Sequence, residues 1–155
     1  MGLRENLAAD RIAELEWSAL VKVAPSASLR EAIARMREQK SGCAIISEGR
    51  GVFGILTERD VLKRLVGSAT DFEAPVSQSM TAEPVTIRAD DSVGRAVGLM
   101  LEGGYRHLPV VDEQGGALGV ISVHGIVHYL VAHFPSLVYN LPPVPAQVQT
   151  SREGA

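Results

Sequence analysis

A single cysteine, Cys43, excludes any disulfide within the chain. Its neighbours Ala44, Ile45 and Ile46 predict a buried, inert thiol. Aromatic residues make up 5% of the sequence, too few for the stacking platforms that hold single-stranded nucleic acid. Cations are not in excess either. The net charge is −3, which gives no basic face, so nucleic acid is not an expected partner. No stretch approaches the roughly 20 apolar residues needed to span a bilayer, so no membrane partner is expected. Residues Met1 to Asn6 lack the apolar run of a secretory signal. These absences leave a cytoplasmic protein as the expectation. At 155 residues the chain is long enough to bury a core without covalent staples.

What the sequence does have is an internal repeat. Gly54-Ile55-Leu56-Thr57 recurs 65 residues on as Gly119-Val120-Ile121-Ser122. Ile45-Ile46-Ser47-Glu48 matches Val110-Val111-Asp112-Glu113 at the same offset. Upstream, Leu29, Ala32, Ile33 and Met36 match Val93, Ala96, Val97 and Met100 at an offset of 64, so one residue of slippage falls near Gly42 and Gly104. The spacing of each apolar quartet is one face of a helix. Ser28 with Glu31 predicts the start of the first helix. Asp90 and Asp91 suit the start of the second through its dipole. Gly42 and Gly103-Gly104 are the predicted stops. Two short apolar strands joined by a Gly-containing hairpin loop follow in each half, and then a second helix.

The predicted fold class is therefore α+β, a β-α-β-β-α unit present twice. The halves span 20–67 and 80–134. A helical segment, 1–19, precedes them, a polar linker, 68–79, joins them, and a Pro-rich tail, 135–155, follows. A half of about 45 residues buries too little surface to fold alone, so the two are expected to pack together.

The chemistry concentrates in Gly54-Ile55-Leu56-Thr57-Glu58-Arg59-Asp60, which runs from a strand into a helix start. Gly54 inside a strand permits close approach to the backbone. Thr57 sits at the expected N-cap, where backbone N–H groups favour an anion such as phosphate. Arg59 offers charge to the same phosphate. The Asp60 carboxylate suits the two vicinal hydroxyls of a ribose. The same Thr-x-x-Asp spacing is equally a helix-capping pattern. His124 and His128 share a helix face, but no cluster of Cys, His or carboxylate completes a metal site, and none is expected.

This layout and the Gly-h-h-Ser/Thr-x-x-Asp motif resemble the cystathionine-β-synthase-like (CBS) domain, which occurs in tandem pairs. Met80 to Thr86 is similar to the lead-in of a second such domain, and Tyr105 to Asp112 to its habitual strand. His133-Phe134-Pro135 and Asn140-Leu141-Pro142-Pro143 resemble the end of small bacterial proteins of this kind. The resemblance implies a homodimer shaped as a flat disc. It also implies an adenine nucleotide in the cleft between the repeats. On it, Asp60 holds the ribose and Thr57 the phosphate, Arg106 and His107 reach across to neutralise phosphate, and Gly54 and Ile55 flank the adenine. Ser122 is the matching candidate in the second motif. That motif departs from the pattern. Gly125 stands where the aspartate belongs, and His124 where the first has Arg59.

Three functional classes follow. The first is a regulatory module sensing AMP, ADP or ATP, or else S-adenosylmethionine or a dinucleotide, and acting on an unidentified regulated protein. The second is a scaffold that dimerises without a ligand. The third, an enzyme, finds no Ser-His-Asp, Cys-His or metal arrangement in the sequence, so neither catalytic residues nor a catalytic cofactor is expected.

Overall fold

The computed structural model describes residues 2–67 and 70–134, and the expected Pro-rich tail 135–155 lies outside them. The first half begins with a short strand, β1 (Lys22–Val23). Helix α2 (Leu29–Gln39) follows the N-terminal helix α1 (Leu3–Ala9) in chain order. Ser28 caps α2, its hydroxyl accepting from the Glu31 N–H at 3.0 Å. Leu29, Ala32 and Met36 are buried, as their spacing requires. Strands β2 (Cys43–Glu48) and β3 (Gly51–Thr57) then form an antiparallel hairpin. Helix α3 (Glu58–Val66) closes the unit.

The second half repeats the order. Strands β4 (Thr81–Ala82) and β5 (Ile87–Arg88) lead into α4 (Val93–Gly103). Strands β6 (His107–Val111) and β7 (Ala117–Ser122) precede α5 (Val123–His133). Ser92 and Ser122 cap α4 and α5 by accepting from Arg95 and Gly125 N–H groups, both at 3.1 Å. The predicted mixed α+β class with a doubled β-α-β-β-α unit is what the chain adopts. One predicted stop is displaced. Helix α2 ends at Gln39, three residues before Gly42, with Lys40 in the left-handed region (φ 53°). In the second half Gly104 takes that conformation, as expected (φ 70°).

The stretches that lead into each half are woven into the opposite half. Residues 80–82, which lead into the second half, supply β4 as the fourth strand of the first sheet, in the order β1-β2-β3-β4. Ser18, which leads into the first half, bridges Val120 on β7 beside the second sheet, β5-β6-β7. Ile12 donates its N–H to Asp91 O at 2.9 Å, and Val93 donates to Asp10 O at 2.9 Å. Those bonds break the expected N-terminal helix. Asp10 and Arg11 are extended, and Ile12–Glu14 resumes as a short 3-10 turn. Val76–Gln78 forms the matching 3-10 turn between the halves. Ile12 and Val76 are both fully buried, the first in the core of the second half and the second in that of the first.

A third cluster joins the halves. Cys43, Ile45 and Ile55 from the first sheet pack with Ala117 and Val120 from the second. Each half thus completes its core with residues from the other, which is the physical reason neither needs to be stable alone. Among the described residues no helix is long and apolar enough to cross a membrane.

Candidate functional site

The ends of β3 and β6 meet across the seam between the halves, and a cavity of about 680 Å³ opens there. The first half contributes Ile55, Thr57, Glu58, Arg59, Asp60 and Leu62 to its walls. The crossing segment contributes Thr81, Pro84 and Val85, and the second half Gly104, Tyr105, Arg106 and His107. The volume suits a small organic ligand. Six of the eight predicted residues therefore line one cleft: Ile55, Thr57, Arg59, Asp60, Arg106 and His107.

Gly54 and Ser122 do not line it. Gly54 is buried, and a Cβ there would collide with Met80 Sδ and lie 2.9 Å from Thr81 O. The group that needs close approach is thus the chain's own β4, paired with β3 through Gly54 and Ala82. Ser122 lies opposite His107 on the β6–β7 ladder and spends its hydroxyl on capping α5.

Thr57 and Asp60 form a reciprocal capping box at the start of α3. The Thr57 hydroxyl accepts from the Asp60 N–H at 3.2 Å, and Asp60 Oδ2 accepts from the Thr57 N–H and hydroxyl, both at 3.0 Å. The Glu58 N–H donates to Gly42 O at 3.0 Å, so that first-turn donor is also engaged. The remaining oxygen, Asp60 Oδ1, accepts a long 3.4 Å bond from the Thr81 hydroxyl. One carboxylate oxygen therefore secures the helix while the other faces the cleft with a weak partner.

His107 is half-buried, and burial holds its imidazole below the ordinary value of 6.5; Glu58 opposes that shift and Arg106 adds to it. A Cβ on Gly42 would lie 3.2 Å from His107 Nε2 and 3.4 Å from Glu58 Oε1, so the absence of a side chain at 42 makes room for both groups. Cys43, opposite Thr57 on the β2–β3 ladder, is buried, and burial pushes its thiol up to about 11. It is unreactive on both counts, as its neighbours predicted.

Sequence reasoning passed over Glu58, Leu62, Thr81, Pro84, Val85 and Tyr105 as site residues. Glu58 stood inside the quoted motif and Tyr105 beside Arg106, so proximity was an available signal. Thr81, Pro84 and Val85 reach the cleft through the crossing of the lead-in segment, which no local pattern marks.

Two interleaved repeats with a charged cleft at their seam define a tandem-repeat α+β module. The chain belongs to the CBS domain family, whose model matches residues 12–67 and again 75–132. An uncharacterised 17.7 kDa protein of Acidianus ambivalens is 29% identical over 124 residues, which cover 79% of this chain and 74% of that one. An Arabidopsis thaliana CBS domain-containing protein, CBSCBSPB3, is 33% identical over 74% of this chain, which spans only 21% of that protein's length. Among solved structures, the CBS domain protein PAE2072 from Pyrobaculum aerophilum, complexed with AMP, superposes with a TM-score of 0.70 at 24% identity. The match covers 79% of this chain and 98% of that one.

Proposed function

We propose that the chain is a regulatory module that senses an adenine nucleotide held in the cleft between its repeats. The observation that carries this reading is the convergence of Thr57, Arg59 and Asp60 from one half with Arg106 and His107 from the other on a single cavity. In this reading Asp60 Oδ1 exchanges its long bond from Thr81 for a ribose hydroxyl, while Oδ2 keeps the helix cap. Arg59, Arg106 and Thr57 take the phosphate, and His107 stands at the same end. Ile55, with Pro84 and Val85, supplies an apolar wall for the base. The AMP bound by the Pyrobaculum relative makes AMP the first ligand to test, ahead of ADP, ATP, S-adenosylmethionine or a dinucleotide. A ligand touching both halves binds one arrangement of them better than another, and that difference in affinity is what a regulated cytoplasmic partner would read.

Calorimetric titration with AMP tests the reading on the wild type and Asp60→Ala. Loss of charge-assisted bonds to the diol should weaken binding roughly tenfold to a hundredfold. Losing the Asp60 half of the capping box as well should lower the melting temperature of a chain that still folds, since Thr57 keeps the cap. A variant that binds AMP as tightly as the wild type would leave the second reading, a ligand-free dimerising scaffold in which Asp60 is a helix cap and nothing more. The completed capping box is the observation that favours that alternative.

A further inference from the structure

Five ionisable side chains line the cleft: Glu58, Arg59, Asp60, Arg106 and His107. Asp60 is committed to the Thr57 cap and to Thr81. Among the described residues the side chains of Glu58, Arg59 and Arg106 form no hydrogen bond or ion pair, so their charges are uncompensated within the chain. Glu58 is not remote from the cationic end. Its Oε1 and the His107 Nε2 both border the space above Gly42, which has no side chain to separate them. Burial lowers the affinity of His107 for a proton, so its imidazole is a weaker cation there than the two guanidiniums.

Two guanidiniums match the charge of one phosphate dianion. Among the described residues no further guanidinium or ammonium lines the cavity, and the Glu58 carboxylate shares its wall with the two that do. Like charges brought together in a partly sheltered cleft repel more strongly than in bulk water. A group that rejects the wrong ligand is as effective a source of specificity as one that attracts the right one. We infer that Glu58 is a specificity-determining residue that restricts the cleft to nucleotides carrying a single phosphate, by repelling the outer phosphates of di- and triphosphates. This rests on the nucleotide reading of the cleft above.

The test is calorimetric titration of the full chain with adenosine, AMP and ATP, in EDTA so that the triphosphate keeps its full charge. Wild type, Glu58→Gln and Glu58→Lys are compared. Glu58 is exposed, so both variants should fold, and circular dichroism checks that they do. The wild type should bind AMP roughly tenfold or more tighter than ATP. Glu58→Gln should narrow that ratio by about tenfold through tighter ATP binding, and Glu58→Lys should narrow it further. Adenosine should bind alike to all three proteins. An unchanged ratio in both variants, a wild type that prefers ATP, or an adenosine affinity that shifts as much as that of ATP would each overturn the role of Glu58 while leaving the cleft a nucleotide site. A wild type that binds neither nucleotide would overturn the nucleotide reading itself, and this inference with it.

Discussion

His107 shows how one residue ties the cleft to the stability of the whole chain. It enters at the first position of β6, opposite Ser122, where the charges of Glu58 of α3 and of Arg106 act on it. Burial dominates and lowers its affinity for a proton in the folded state. The unfolded chain therefore takes up that proton more readily below about pH 6.5, and stability follows the difference in protons bound. The contribution is fully present above the unfolded value and is lost as pH falls through it toward the folded one. Urea midpoints measured from pH 7.5 down to 5.5 should fall more steeply for the wild type than for His107→Gln. Parallel profiles would mean the imidazole titrates alike in both states. This residue was legible as a cleft candidate because the Arg-His pair resembles a family strand. The half-burial that lowers its proton affinity was not, because the Gly42 and Glu58 that border it lie in the other repeat.

At the scale of elements, the two halves are alike in backbone and unlike in chemistry. The sequence disclosed the helices α2 and α4 and the two hairpins because apolar spacing encodes them directly. It disclosed neither β4 nor the Ser18–Val120 bridge. A two-residue strand carries no periodicity, and its partner lies in the opposite repeat. The same crossing decides the fate of the second cleft. Ser122 caps α5 as Thr57 caps α3, but Gly125 brings no carboxylate, and Glu16 O would lie 3.1 Å from any Cβ placed there. In the structure Cys43 pairs with Thr57 as His107 pairs with Ser122, so the positions matching Arg106 and His107 are Gly42 and Cys43, neither of them a cation. Loss of both the diol acceptor and the phosphate partners should weaken the second cleft by at least about tenfold. Calorimetry should report one tight adenine nucleotide per chain. Gly125→Asp should not add a second, because its carboxylate would face the Glu16 carbonyl. Two equal tight sites, or a nucleotide found only beside Gly125, would mean the motif has been read in the wrong half.

For the whole molecule the informative element is α3. It buries no residue, although Val61, Leu62, Leu65 and Val66 recur on its surface at helical spacing. Leu62 is 61% exposed, Leu65 57% and Val66 85%, and Val127 on α5 is 50% exposed. A helix that is amphipathic yet leaves its apolar face exposed lacks a partner for that face among the described residues. A second copy related by two-fold symmetry would cover α3 and α5 together, the disc that family resemblance implied. Light scattering should therefore find a dimer at micromolar concentration, and Leu65→Glu, a charge placed at the centre of that face, should give a folded monomer. The same helix begins at Thr57–Asp60 in the cleft, and Leu62 lines the cleft one turn later. In such a dimer, ligand and partner would act on the same nine-residue helix. Coupling between two binding events is reciprocal. If AMP shifts the dimer's dissociation constant, the Leu65→Glu monomer should bind AMP with an affinity changed by the corresponding factor. Should the variant remain dimeric, the interface lies elsewhere. Should it become monomeric with AMP affinity unchanged while AMP still shifts wild-type dimerisation, α3 is not the element that carries the signal.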